Sequence, residues 1–435
     1  MGDVPELKVH RSVTKGLKLF DADRLRWLDE AAAIGPLVGL RMGPVTTFVV
    51  TDAEVARTML VPEGSSWQRP PALAVPIRVG VGENLFTQRD KAWARLQPVV
   101  APMFRKKALE ARLGEIDAIV DDLVRAIPAE ETVDLELAMG RIALTLAAWV
   151  MLGDHLDAGR AEEIAHHQRE VVGWVGRQVG KLNGILPFAI GAPAREMKRH
   201  REVLRRYADD VITRAKAADR ADDVLGALMN ARPSGKPLTP QQLRGHVLGL
   251  FLAGNETTAA ALSWALVHAG QRHEAWGRVR NDPASQTLPF ITETLRLTPA
   301  VWGIPRTPNR PGVTLTAAGA TTRVRRGQLA TVYLRAINRD PKTWPEPLCF
   351  DPARHELAGK EQQRALLPFG LGPRGCIGQH LAMAEMNAVI SALARRGDIT
   401  VEGEVVEDAS FALRIRGGLH GRFTSPHATR EPAHS

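Results

Sequence analysis

Between Gly245 and Gln271 the chain reads GHVLGLFLAGNETTAAALSWALVHAGQ, with Glu256 as its only formal charge. A run this long and apolar either crosses a bilayer or forms a helix in a protein interior. The four consecutive polar residues Asn255, Glu256, Thr257 and Thr258 favour the interior, because a charge at mid-membrane is costly. The fold is therefore expected to be built around one buried helix with an acid and an alcohol at its middle. Gly254 costs about 1 kcal/mol relative to Ala at such a position. It is predicted to mark a local opening of the helix toward a ligand, with the Thr257 hydroxyl turned to the Ala253 carbonyl.

A second stretch, Phe369–Gly378 (FGLGPRGCIG), places Cys376 among Gly370, Gly372, Gly375 and Gly378. Such glycines permit left-handed backbone and close approach to a flat ligand. Helical text follows from Gln379 (QHLAMAEMNAVISALARR), with Leu381, Ala384, Met386 and Ala388 on a mostly apolar face. Cys376 is thus expected near a helix N-terminus, which favours thiolate over thiol. Without a Cys-x-x-Cys partner it cannot build a structural zinc site, but it can be an axial ligand of haem iron. An isolated cysteine is more often a small packed hydrophobe. That is the expectation for Cys349, in PLCFDP.

Phe369, Gly372, Arg374, Cys376 and Gly378 fit the F-x-x-G-x-R-x-C-x-G haem loop of the cytochromes P450 at every fixed position. Ala253-Gly254-Asn255-Glu256-Thr257 resembles that family's A/G-G-x-D/E-T oxygen-activation motif. Glu293-Thr294-Leu295-Arg296 supplies Glu-x-x-Arg, and FDPAR, ending at Arg354, follows. On spacing alone Glu293 and Arg296 could be an ordinary surface pair. The resemblance implies instead a buried network of Glu293, Arg296 and Arg354 beneath the haem loop. It runs from roughly Pro36 to Gly418 and implies a mainly α fold with a small β-rich region, the cytochrome P450 fold.

The same resemblance implies haem b (iron protoporphyrin IX) with Cys376 as the metal ligand, framed by Phe369 and Gly378. Arg374 and Arg306 become candidates for its propionates, since guanidinium bonds carboxylates bidentately. The family's W/H-x-x-x-R is broken here: Trp93 is present, but Gln97 stands where Arg is usual. Glu256 and Thr257 would deliver protons. Val75, Ile77, Val79 and Val81, with Leu250, Ala253, Val301, Trp302 and Ile304, would line an apolar substrate pocket. The implied activity is insertion of one atom of O₂ into an apolar organic substrate. Electrons would come from NAD(P)H through a separate ferredoxin and ferredoxin reductase, because no flavin or iron–sulfur domain is recognisable. The alternatives are a specialised P450 that couples or rearranges its substrate, and a haem-binding sensor without turnover. The pairing of Glu256 with Thr257 argues for ordinary O₂ activation.

Composition sets the remaining bounds. The chain has 435 residues, 44% hydrophobic and 24% charged, as a globular protein should. Two cysteines provide no disulfide framework and suit a reducing cytoplasm. The first residues, MGDVPELKVHRSVTKGLKLFDADR, carry charge throughout, unlike a signal peptide or membrane anchor. Fifty-seven Lys and Arg against 48 Asp and Glu give a net charge of +9. No DNA-binding motif accompanies the excess, so a basic docking face for an acidic electron donor is the reading in preference to nucleic-acid binding.

In chain order, residues 1–35 are expected as an N-terminal segment, 36–425 as a single catalytic domain and 426–435 as a disordered tail. A hairpin is predicted over 39–52, then a short helix capped by Asp52. Residues 62–88 read as a long loop, and 90–230 as mostly helices. Leu186, Phe188 and Ile190 in NGILPFAIGAP suggest a lid or a membrane-facing patch. Short strands are expected over 313–332 and again near 399–424.

Overall fold

The computed structural model describes residues 2–61, 66–179, 192–221 and 223–424. The suggested lid residues Leu186, Phe188 and Ile190 and the tail from 426 lie outside them.

The interior helix is present as Pro240–Gln271. Thr239 opens it with a capping box: its side chain accepts from the Gln242 amide, and the Gln242 side chain accepts from the Thr239 amide. Pro240 occupies the first helical position, where no N–H is needed. The helix runs unbroken through Gly254, so the predicted local opening is not there. A Cβ on Gly254 would instead collide with Cε of Met151, on the neighbouring helix Leu135–Leu152. That obstacle is the end of a flexible side chain, which can move aside. At Gly245 the obstacle is backbone, since a Cβ there would collide with the Glu83 carbonyl oxygen.

Leu135–Leu152 is the one described helix long and apolar enough to cross a membrane, and 78% of it is buried inside the protein. Around this pair pack Ala158–Gln178, Ala192–Ala217, Pro283–Leu297 and Gln379–Arg396. The predicted hairpin forms as antiparallel Leu37–Met42 and Val45–Val50, and the Asp52 side chain accepts from the Val55 amide at 2.8 Å. These strands lie in a six-stranded sheet ordered Glu6–His10, Leu37–Met42, Val45–Val50, Ala330–Val332, Ile304–Pro308 and Trp67–Gln68. The N-terminal segment is therefore part of the fold: Glu6–His10 pairs in parallel with Leu37–Met42. The strands expected over 313–332 and 399–424 are found.

The segment read as a loop over 62–88 contains a helix, Pro71–Val81. Its prolines point to a loop, but Pro71 sits at the helix start, where proline is tolerated. Ile77 and Val81, four residues apart on one face, are buried in the core. Gly80 lets the helix approach Ala158–Gln178, for its Cβ would stand 2.9 Å from Val175.

Candidate functional site

The cysteine loop is held by its own backbone. The Cys376 amide donates to the Phe369 carbonyl at 2.9 Å, Gly375 to Gly372 at 2.9 Å and Gly370 to Leu367 at 3.0 Å. Gly370 and Gly372 take φ of +69° and +71°, left-handed values that a side chain would strain. Gly378 opens the helix Gln379–Arg396 immediately after the thiol. Cys376 is an exposed residue, yet its sulfur is desolvated by the surrounding protein. Burial pushes the thiol up, and the Gly378 amide pulls it down by less. The thiolate expected from the helix terminus alone is thus not favoured by the protein; a coordinated metal would reverse that balance.

Beneath the loop lies a buried ionic network. Both Glu293 and Arg296 side chains are 0% exposed and bond twice, Nε to Oε2 at 2.8 Å and Nη2 to Oε1 at 2.9 Å. Arg354 Nε reaches Oε1 at 3.0 Å. Two further partners join them: the Asp351 amide donates at 2.9 Å, and His355 Nε2 lies 2.8 Å from Oε2. Burial alone would raise the Glu293 carboxyl, but the bonds from Arg296 and His355 outweigh it and hold it at about 2. Arg296 also donates to the carbonyls of Asn338, Pro347 and Cys349 at 2.8–3.1 Å. The Asn338 side chain accepts from the Leu367 amide at 3.2 Å, two residues before the cysteine loop. Cys349 therefore contributes a carbonyl; its residue is exposed and does not pack in the core as expected.

On another side three arginines converge. Arg69, Arg306 and Arg374 border one cavity of about 760 Å³, together with Val75 and Trp302. Burial, then the charges of Arg306 and Arg374, press the Arg69 guanidinium well below its ordinary value. Burial and Arg374 bring Arg306 down to about 10. Arg374 is eased by Asp90 at 2.8 Å and lies over the Trp93 ring, 4.3 Å from its centroid, yet its Nη1 is buried without a partner. Three crowded cations with one carboxylate among them leave positive potential that an anion would relieve. Gln97, one turn beyond Trp93, is half-buried. Arg69 was not singled out from the sequence; its only local signal is a charge in the short link between the strand Trp67–Gln68 and the helix starting at Pro71.

The middle of the interior helix presents two faces. Ala253 is exposed and Thr257, one turn on, is half-buried, although both lie at the centre of a largely buried helix. Thr257 donates to the Ala253 carbonyl at 2.8 Å. Glu256 points elsewhere: it is 3% exposed, and its Oε1 takes Arg414 Nε at 2.6 Å and Nη2 at 2.5 Å. The pair sits in a polar cavity of about 190 Å³ shared with Glu136, Asp134, Asn255 and Arg169. The next residue, Thr258, bonds Glu385 of Gln379–Arg396, the helix after the cysteine loop (the cysteine helix), and burial lifts the Glu385 carboxyl to about 8.

A family model of cytochrome P450 matches residues 24–411. The chain belongs to the cytochrome P450 family. It is similar to a cyclooctat-9-en-7-ol 5-monooxygenase of Streptomyces melanosporofaciens, at 27% identity over 86% of this chain and 84% of that protein. A cyclooctatin synthase of the same organism is 28% identical over 86% and 84%. A six-coordinated cytochrome P450 from Thermus thermophilus has the same fold, with a TM-score of 0.74 at 22% identity, covering 93% of this chain and 99% of that one. The protein is accordingly a cytochrome P450 monooxygenase, and membership implies a haem cofactor.

The residues present fit that group. A P450 haem needs a sulfur ligand open on one side, a flat face free of side chains and cations for two propionates. Cys376, the small Ala253 and the three arginines are groups of these kinds; of them the arginines line the large cavity, and Cys376 and Ala253 do not. The substrate-pocket expectations divide. Val75 and Trp302 line the large cavity and Ala253 is exposed, whereas Ile77, Val81 and Leu250 are core residues. Val79 is half-buried and accepts a bond from Arg201, and Val301 and Ile304 pack against the sheet-side core. The helix Pro71–Val81 explains the difference, since a helix turns only some of its apolar residues toward the cavity.

Glu293 sets an acid limit on stability. Its carboxyl is at about 2 in the fold against 4.5 ordinarily, so ionisation stabilises the fold by roughly 3 kcal/mol above pH 5. That contribution is lost as pH falls from 5 toward 2. Urea unfolding of wild type and Glu293→Gln should show a stability gap that is wide at pH 7 and narrows below pH 5. A gap constant with pH would mean that Glu293 is not held ionised.

Proposed function

We propose that this P450 inserts one oxygen atom of O₂ into an apolar organic substrate. Its electrons would come from NAD(P)H through a ferredoxin and ferredoxin reductase in the cytoplasm, the donor docking on a basic face consistent with the +9 charge. The observation that carries the reading is Cys376, the only cysteine in a glycine-built loop ahead of a helix, above the Glu293 network. Bound haem would supply thiolate-ligated iron for oxygen activation. Cys376 would hold it from one face, and Ala253 and Thr257 would border the other. Arg69, Arg306 and Arg374 would take the propionates, and Val75 and Trp302 would meet the substrate.

Proton supply falls to the two faces of the interior helix. Glu256, paired with Arg414 in a polar cavity, would exchange protons with water there. Thr257 would carry a proton at its hydroxyl on the opposite side, using the Ala253 carbonyl to fix its rotamer. Adjacent helical residues point about 100° apart, which suits such a division.

The activity test combines the purified protein, a surrogate ferredoxin and reductase, and apolar substrates chosen by their shift of the Soret band. Hydroxylated product in step with NAD(P)H consumption is expected. Cys376→Ala should abolish the carbon monoxide difference band; its survival, with Cys349 the only thiol left, would reject the ligand assignment.

Thr257→Ala should leave haem content and substrate affinity nearly unchanged while diverting NAD(P)H electrons to hydrogen peroxide. A peroxide-to-product ratio equal to wild type would reduce Thr257 to a helix-bonding residue. Arg69→Ala should release haem to apomyoglobin roughly 10–100-fold faster, as expected for losing a charge-assisted bond. Gln97→Ala, which removes only a neutral donor, should have a smaller effect. Equal rates in wild type and Arg69→Ala would put the propionates elsewhere.

A further inference from the structure

On the side of the protein formed by Ala158–Gln178 and Ala192–Ala217, three histidines meet that the P450 chemistry does not use. His166 and His167 are neighbours on the first helix, and His200 comes from the second. One ligand nitrogen from each lies within 4.8 Å of the other two. His167 Nδ1 and His200 Nδ1 are 2.8 Å apart. The ring centroids form a nearly equilateral triangle with sides of 5.0, 5.2 and 5.4 Å.

The ring-centre spacing is the one that metal coordination demands, while the 2.8 Å contact between the His167 and His200 nitrogens would open to about 3.3 Å around a tetrahedral zinc. A zinc–imidazole bond is about 2.0–2.1 Å, so a ring centre lies roughly 3.2 Å from the ion. Two rings at a tetrahedral angle then have centres about 5.2 Å apart. A hydrogen bond between His167 and His200 would explain their short contact. It would not explain why the exposed His166 turns its ring to complete the triangle. Adjacent residues on a helix point about 100° apart. His166 and His167 can therefore share one ion only if it lies between them and is closed by a residue from across the groove. His200 is in that place.

We infer that His166, His167 and His200 form a three-histidine site for a divalent transition metal, with zinc the ion of choice, that clamps the two helices together. The fourth position faces solvent beside the exposed His166 and is open to water. Neutral imidazole favours zinc, copper or nickel over magnesium or calcium. The clamp bears on the large cavity through Arg201, the residue after His200, which donates to the Val79 carbonyl at 2.7 Å. Val79 belongs to the helix Pro71–Val81, from which Val75 lines that cavity. Zinc should thus stiffen one wall of the cavity without touching Cys376.

The test uses the tag-free, haem-loaded full chain, equilibrated with zinc chloride against a chromophoric zinc chelator. Retained zinc is counted by atomic absorption. One zinc per chain is expected, with an unchanged Soret band and slower amide hydrogen exchange in both helices. His200→Ala should weaken zinc at least about 100-fold, more than is usual for loss of a mere supporting group. The exposed His166→Ala, which carries little folding risk, should also weaken it at least tenfold, and His273→Ala should bind as wild type does. Failure to retain zinc, or equal retention by wild type, His166→Ala and His200→Ala, would overturn the site.

Discussion

The Glu293–Arg296 pair is the interaction on which the rest of the site depends. Two side chains with 0% exposure would each carry a heavy desolvation cost alone. Pairing does not make such ions a large net source of stability, because well-packed apolar residues can often replace them. Their geometry is the useful part. Arg296 draws the carbonyls of Asn338, Pro347 and Cys349 to one guanidinium, and Glu293 gathers Arg354, His355 and the Asp351 amide. An irregular stretch without regular hydrogen-bond ladders is thereby fixed. Through Asn338 the restraint passes to Leu367 and on to the loop that presents Cys376.

The interior helix makes a different use of buried charge. It packs closely enough that Gly245 has no room for a methyl group against the Glu83 carbonyl. Rigid packing fixes which way each polar residue in the middle can point. Glu256 is turned to Arg414 and a polar cavity, Thr257 to its own backbone on the open face, and Thr258 to Glu385 of the cysteine helix. Glu385, lifted to about 8, is mostly protonated at neutral pH and couples the two helices as a neutral group. Three successive side chains thus serve three separate neighbours.

Charge on the cavity side is left unbalanced. Arg69, Arg306 and Arg374 crowd one another with Asp90 as the partner of Arg374, a cost that an anion bound there would relieve. Gln97 supplies no charge at the place where relatives with W-x-x-x-R carry one. Arg69, between the strand Trp67–Gln68 and the helix Pro71–Val81, brings a cation to the cavity that Arg306 and Arg374 border.

Much of this was legible in the chain itself. The apolar run around Glu256 required a buried helix, the glycines around Cys376 required a tight loop, and Glu-x-x-Arg placed an acid and a base on one helical face. Each depends on neighbours within a few residues, where backbone geometry alone fixes the relation. What the text could not carry were contacts closed across long stretches of chain. Arg414 stands 158 residues from Glu256, His355 62 from Glu293, and His200 33 from His167. Nor could it weigh burial against a helix terminus at Cys376, or tell that Pro71–Val81 is a helix facing Ile77 and Val81 inward. Sequence determined which chemical groups the protein owns and their local backbone. Tertiary structure alone decided their partners and their solvation, because both depend on what packing brings within a few ångströms.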